Sequence, residues 1–370
     1  MGMKTRCSSR ETVAGGTLED GLLSSRGEQR VMVKIPVCVG LDYHKDAIQV
    51  CALNDRGVVL FNESIPNSVE GLIQLASKRG WLVRRIGIEA CSGSADFSDE
   101  LVLSTGWSLN LAHAGYVRRM KQNPDKTDFS DARLLADLTR VGYLPKVWLA
   151  PQEIRDLRRV VRFRQDLVRR RTATKLKIMA LLREHRVVIA GTRWTQKWLQ
   201  TLKALSGLPT GTRFVLTSHR KELTHVIDQI TKVEARLGKM TAGDELVARL
   251  MKQRGVGAVT AWTMRAEIGR FDRFNTGKQL ARFCGLSPRN ASSGNRQADA
   301  GMIKAGNPGL RTTLIEVAHR LTRYDVRWAA FKAKQRQAGK PGSVIAAAVA
   351  NRWVRWLFHQ MQPAAWEGAA

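Results

Sequence analysis

The chain has 370 residues, 44% apolar and 25% charged, enough for two or three domains with ordinary packed cores. Lysine and arginine number 61 against 32 acidic residues, a formal net charge of +29, so the expected partner is a polyanion, nucleic acid ahead of an anionic membrane surface. The composition argues against a spanning helix, because no apolar run reaches about 18 residues, and against a zinc or disulfide framework, because the five cysteines form no C-x-x-C pair.

Residues 1–36 are polar and rich in Gly and Ser, without a signal-peptide core. They read as a flexible arm of a cytoplasmic protein. Three β-rich runs follow, "VCVGLDYH", "AIQVCALN" and "VVLFNESI", with a tight "NDRG" turn between the last two; they predict an antiparallel meander. "NSVEGLIQLASKRG" predicts a helix capped by Asn67 or Ser68 and stopped by Gly80. "VRRIGIEA" predicts a fourth strand, "SADFSDELVLSTG" a second helix and "WSLNLAHA" a fifth strand. After a basic linker, "TDFSDARLLADLTRVG" predicts a third helix. The order β-β-β-α-β-α-β-α is the layout of the ribonuclease H-like fold. A doubly wound dinucleotide fold would open instead with βαβ and a G-x-G-x-x-G turn.

"PKVWLAP" reads as a linker. Residues 151–186 hold twelve Lys/Arg against four Asp/Glu, with Ile154, Leu157, Val161, Val168, Ile178 and Leu182 at helical spacing. This predicts a long amphipathic helix with a basic outer face that includes Arg169, Arg170 and Arg171. It suits a coiled coil, with residues of about 217–253 as antiparallel partner. In "RGVGAVTAWTMRAEIG" the Gly255-Val-Gly257 turn opens a helix and offers free N–H groups to a phosphate, as helix-hairpin-helix modules do. Such turns also serve plain helix packing. Another helix and turn, a polar loop "RNASSGNRQADAGMIKAGNPGLR", and a helical tryptophan-containing end complete the chain.

Two-metal phosphodiester chemistry requires several carboxylates around ions about 3.5–4 Å apart, and magnesium favours such hard oxygen donors. Asp42 is expected at the centre of the first strand and Glu89 at the end of the neighbouring fourth. Asp128 and Asp131 share one helix face at i and i+3. Taken singly, each is explained as well by a turn or by the helix dipole. Together, in fold order and in so basic a chain, they form a candidate metal site. Carboxylates in apolar strands are costly without an ion or hydrogen bond to compensate. Tyr43, His44 and Lys45 after Asp42 offer no phosphate cradle, which argues against the ATPases of this broad fold. In the polar loop, Ser292 and Ser293 before Gly294, near Arg296 and Lys304, can supply a nucleophile that would link covalently to DNA. Serine-glycine pairs are also common in ordinary loops.

"VGLDYHKDAIQVCAL", "GIEACSG", "KTDFSDARLLADL", "GVGAVTAWTMRAEIG", "FNTGKQLARFCGLSPRNASSG" and "IKAGNPGLR" occur in the order seen in the DEDD insertion-sequence transposases, and the chain resembles that IS110 family, with its IS1111 branch, from about residue 37 to 330. The resemblance implies a RuvC-like domain over 37–145, with Asp42, Glu89, Asp128 and Asp131 as metal-binding catalytic carboxylates. It implies a basic helical, coiled-coil region over 151–250. Over 251–362 it implies a C-terminal transposase domain whose nucleophile is Ser293, with Ser292 the less favoured neighbour. Mg²⁺ as cofactor, element-end and target DNA, a guide RNA from the element, and a homo-oligomer (dimer or tetramer) sharing its active site between subunits are implied with it. Lys126, Gly255, Gly257, Arg296, Lys304 and Arg169–Arg171 are the expected nucleic-acid contacts. A junction-resolving nuclease using carboxylates and water, and a non-catalytic nucleic-acid-binding protein, are the alternatives.

Overall fold

A computed structural model describes residues 34–121, 127–290, 299–303 and 306–362. The chain forms two compact units that divide between Leu149 and Ala150. No helix among the described residues is long and apolar enough to cross a membrane.

The first unit is a mixed α/β sheet domain. Its strands β1 (Ile35–Tyr43), β2 (Ala47–Leu53), β3 (Val59–Pro66), β4 (Trp81–Glu89), β5 (Leu109–Ala112) and β6 (Lys146–Val147) lie in the order β3-β2-β1-β4-β5-β6. β1, β4 and β5 run parallel, while β2, β3 and β6 pair antiparallel to their neighbours. The β2–β3 turn is set by the Asn54 side chain, which accepts from the N–H groups of Arg56 and Val58, and by Gly57 at φ +83°. Helix α1 (Val69–Lys78) starts at Ser68, whose hydroxyl accepts from Gly71 N, and stops before Gly80. Helix α2 (Ser94–Thr105) ends at Gly106.

Strand alternation assigns the two faces of the sheet. Val37, Val39, Leu41, Ile48, Val50, Ile86 and Ile88 form one buried core with Leu72, Phe97 and Leu101 of α1 and α2. On the other face, Cys51 and Leu53 pack on Ala132 and Ala136 of α4 (Asp128–Arg140). The stretch read as a basic linker contains a seven-residue helix, α3 (Ala114–Met120), and "PKVWLAP" contributes the short edge strand β6.

The second unit is helical. Helix α5 (Gln152–Glu184) packs antiparallel on α7 (Thr210–Met240): Arg164 pairs with Glu234 at 2.6 Å, while Ile178 and Leu182 cluster with Leu216 and Leu223 beside α6 (Gln196–Lys203). The buried stripe of α5 runs Ile154, Leu157, Val161, Leu167, Thr174, Ile178, Leu182. Leu167 replaces the expected Val168 because the N-terminal half of α5 packs on α9 (Ala258–Ile268) as well as on α7, so its buried face swings along the helix. The expected partner stretch 217–253 begins earlier, at Thr210, and breaks after Met240; α8 (Glu245–Met251) then restarts on Asp244.

Glu267 of α9 is buried in this unit. It accepts two hydrogen bonds from Arg162 at 2.8 and 2.9 Å and one from Asn307 at 2.7 Å. Asn307 in turn caps α11 (Pro308–Tyr324). After α10 (Gly277–Phe283), strands β7 (Pro288–Asn290) and β8 (Asp299–Met302) form an antiparallel pair. The neck of this hairpin is closed by backbone contact: a Cβ on Gly306 would lie 2.3 Å from Gly285 Cα. Helices α12 (Val326–Gln337) and α13 (Gly342–Gln360) complete the unit.

Candidate metal centre and nucleic-acid surfaces

Asp128 and Asp131 come near Asp42 because two strands carry glycine where a helix must come close. Gly40 and Gly87 are register partners on β1 and β4. A Cβ on Gly40 would lie 2.1 Å from Ala132 O and 2.3 Å from Ala136 N; one on Gly87 would lie 2.1 Å from Thr139 Oγ1. The backbone of α4 therefore rests directly on this glycine pair. Asp42 and Glu89 stand two residues beyond the glycines and so share their face of the sheet. Asp42 lies near the C-terminal end of β1, one residue before its last, rather than at the strand centre. Both acids thus sit at the carboxyl ends of adjacent parallel strands.

The start of α4 is held in place. Thr127 accepts from Ser130 N, and Asn62 of β3, itself receiving a bond from Gln49, donates to Phe129 O at 3.0 Å. Asp128 and Asp131 then occupy the first helical turn, where the dipole favours negative charge. Asp131 is buried and Asp128 exposed.

A histidine and a lysine stand against these acids. His44 Nε2 lies 3.3 Å from Asp42 Oδ2 and 3.4 Å from Asp128 Oδ1. Lys121 Nζ lies 2.5 Å from Asp131 Oδ1. Burial raises the Asp42 pKa above its ordinary value; the neighbouring Asp131 and Asp128 push it further up and His44 opposes them. An acid group so placed favours a cation beside it. Among the described residues, Asp42, His44 and Asp128 offer ligand atoms that all lie within 4.8 Å of one another, a span suited to one divalent ion with ligands at about 2.1 Å. This donor set suggests a divalent metal site.

His44 and Lys121 were not among the expected site residues. His44 stands two residues after Asp42 but past the last residue of β1, where strand alternation no longer assigns a face. Lys121 carries no sequence signal, being one cation among several in its segment.

The expected nucleic-acid residues are scattered. Arg169 and Arg170 are exposed on α5 and Arg171 is half-buried; Arg169 is paired with Asp166 on the same helix. Gly255 has φ +81° and Gly257 caps α9. Beside them, Arg320 donates to Gly255 O at 2.8 Å and to Thr260 Oγ1 at 3.1 Å, lining an open depression of about 500 Å³. Lys126, Ser292, Ser293, Arg296 and Lys304 lie outside the described residues.

Residues 39–187 match a transposase family model of the DEDD, IS110 type, and residues 247–333 match one described as the transposase IS116/IS110/IS902 family. Helix α13 lies outside both matched segments. The chain is 27% identical over 328 residues to the transposase for insertion sequence element IS1111A of Coxiella burnetii, covering 86% of this chain and 88% of that relative. It is 28% identical over 283 residues to a probable family 20 transposase of Pseudomonas aeruginosa, covering 74% and 82%. The transposase for insertion sequence element IS1328 of Yersinia enterocolitica is 26% identical over 233 residues, covering 63% and 69%.

Proposed function

Because this chain belongs to the IS110 family of insertion-sequence transposases, we propose that it cuts and rejoins DNA with Asp42, Glu89, Asp128 and Asp131 as the ligands of Mg²⁺ and Ser293 as the nucleophile. The observation that carries this reading is the approach of α4 onto Gly40 and Gly87, on the sheet face shared by Asp42 and Glu89. A bound divalent ion supplies charge neutralisation for a phosphodiester and for the oxygen leaving it. Asp42 and Glu89 fix the site from the rigid sheet, and Asp128 and Asp131 complete it from the helix. His44, between two of the aspartates, steadies them and offers a further donor.

Ser293 lies in the segment that joins β7 to β8. Its hydroxyl oxygen forms a bond to phosphorus and gives up its proton, while the bond to the departing deoxyribose oxygen breaks and that oxygen takes a proton. One phosphoester replaces another, so the link is preserved for rejoining to a new strand. The basic face of α5 with Arg169, Arg170 and Arg171, the helix-hairpin-helix-like turn between α8 and α9 at Gly255 and Gly257, and Lys126, Arg296 and Lys304 contact the sugar-phosphate backbone. We assign a guide RNA from the element and a homo-oligomeric assembly to the same machinery, by the family likeness.

The test is incubation of the purified protein with element-end DNA, the adjoining element RNA and Mg²⁺, followed by a denaturing gel. A protein–DNA adduct that disappears in Ser293→Ala and in Asp131→Asn supports the reading. Cleavage without an adduct, unchanged in Ser293→Ala, makes the protein a hydrolytic nuclease that uses water in place of serine.

A further inference from the structure

The C-terminal helices build a second site. Arg352, Arg355, Trp356 and His359 fall at i, i+3, i+4 and i+7 and form the exposed face of α13, while Val349, Trp353 and Leu357 turn into the core. The first turn of α10 comes hard against this helix: a Cβ on Gly277 would lie 2.9 Å from Arg355 O. That approach places Lys278 beside Arg355. α12 closes the third side with Arg327 and Phe331, leaving a cavity of about 790 Å³. The Arg352 guanidinium lies 4.7 Å from the Phe331 ring centre and that of Arg327 5.1 Å from Trp328. Both are held against aromatic walls.

The charge here is one-sided. Among the described residues, no carboxylate lines the cavity. Among the described residues, none of Lys278, Arg327, Arg352 or Arg355 forms an ion pair. Elsewhere the chain pairs exposed arginines readily, as with Arg159 and Asp156. Amid these cations the Trp356 indole remains 36% exposed. A lone phosphate has no use for that aromatic surface, and an apolar ligand has no use for four unpaired cations. An unpaired nucleotide uses both, stacking its base on the indole and setting its phosphates on the cations. A concave site of this size admits a nucleotide. Lys278, Arg352 and Arg355 also line a neighbouring cavity of about 920 Å³, which reaches Pro288 and Met302 at the foot of the β7–β8 hairpin.

We propose that the cleft between α10, α12 and α13 binds single-stranded nucleic acid, with one base stacked on Trp356 and the flanking phosphates on Lys278, Arg352 and Arg355, so that the strand runs toward the β7–β8 hairpin. This site uses none of the four carboxylates and needs no metal.

The full-length protein in metal-free buffer with chelator is titrated against 5′-labelled oligo-dT and oligo-U of about 12 nucleotides, and against a hairpin duplex, by fluorescence anisotropy. Trp356→Ala weakens single-strand binding about tenfold and leaves the duplex within about twofold. Trp356→Phe restores most of the loss. Arg352→Gln with Arg355→Gln lowers the single-strand salt slope by about 1.4, which is two phosphates at about 0.7 each. That variant carries the test even if Trp356→Ala folds poorly. A Trp356→Ala loss confined to DNA or to RNA supports the site and identifies its strand. Equal loss for single strand and duplex, or no loss, overturns it, as does an unchanged salt slope in the arginine variant.

Discussion

Replacing Gly40 by alanine is expected to push α4 off the sheet and open the metal centre. The added Cβ would meet Ala132 O at 2.1 Å and Ala136 N at 2.3 Å. Both are backbone atoms of a helix, so no side chain can rotate away. Bringing the shorter contact to an ordinary 3.4 Å takes a retreat of about 1.3 Å, far beyond the roughly 0.2 Å tolerance of metal–ligand distances. The helix is also held by Asn62 at Phe129 O and by the packing of Ala132 and Ala136 on Cys51 and Leu53, so the strain is not relieved by a simple hinge. Overpacking of this kind costs about 3 kcal/mol, which lowers the melting point of a unit this size by about 10 °C or more. The assay is a thermal melt of wild type and variant with and without saturating Mn²⁺ or Mg²⁺. A site bound at about 100 times its Kd stabilises the wild type by about 2.7 kcal/mol; the variant should lose that gain along with its basal stability. Gly71→Ala in α1, where a Cβ meets only Ser68 at 3.6 Å and beyond, is the control and should be neutral or stabilising by up to about 1 kcal/mol. A Gly40→Ala protein that melts with the wild type and keeps the metal-induced shift refutes the glycine argument.

Asp42→Asn should raise the melting point of the metal-free protein at pH 7. Burial lifts the Asp42 pKa in the fold, so the folded state holds a proton at pH values where the unfolded chain has lost it. Stability therefore falls as pH rises through the folded pKa, and the deficit persists at neutral pH. Melts from pH 7 down to about pH 3 should show the variant's advantage shrinking as the wild-type carboxyl protonates in both states; a variant that melts lower at pH 7 contradicts this. Lys121→Met should strengthen Mn²⁺ binding, because the ammonium now on Asp131 repels an incoming cation, and weaker binding in a Mn²⁺ titration would count against it. Glu267→Ala leaves a buried cavity and removes the acceptor shared by Arg162 and Asn307; because the Arg162 side chain is 56% exposed and can turn to water, the expected loss by urea unfolding is about 1–3 kcal/mol, and an unchanged stability would mean that the cluster contributes little.

The sheet domain was legible because local signals agreed with one another. β1, β2 and β4 place their branched residues on the face that α1 and α2 cover, Ser68 and Thr127 mark two helix starts, and Gly80, Gly106 and Gly142 mark stops. α3 and β6 escaped for opposite reasons. α3 is seven residues opening with Ala114-Gly115 and held by a histidine cap, too brief for a period to show. β6 is two residues whose strand character comes only from pairing with β5. The α5 stripe misled because a single repeat was read for a helix that meets different partners along its length.

The site divides along the same line. Gly40 with Asp42 and Gly87 with Glu89 share parity, so a reader of the strands can put both acids on one face. The need for glycine there follows only once α4 is known to lie across them. Carrying the alternation two residues further would have added His44. The strand ends at Tyr43, however, and the His44–Ala47 turn begins at once, so parity gives no licence past that point. Tyr43 shows the rule working to its last residue: it turns to the opposite face and packs on Phe97 with ring centres 5.6 Å apart. His44 leaves the strand in the turn and meets Asp128 of α4, a residue dozens of positions away in sequence, and that separation is why the histidine became visible only in three dimensions.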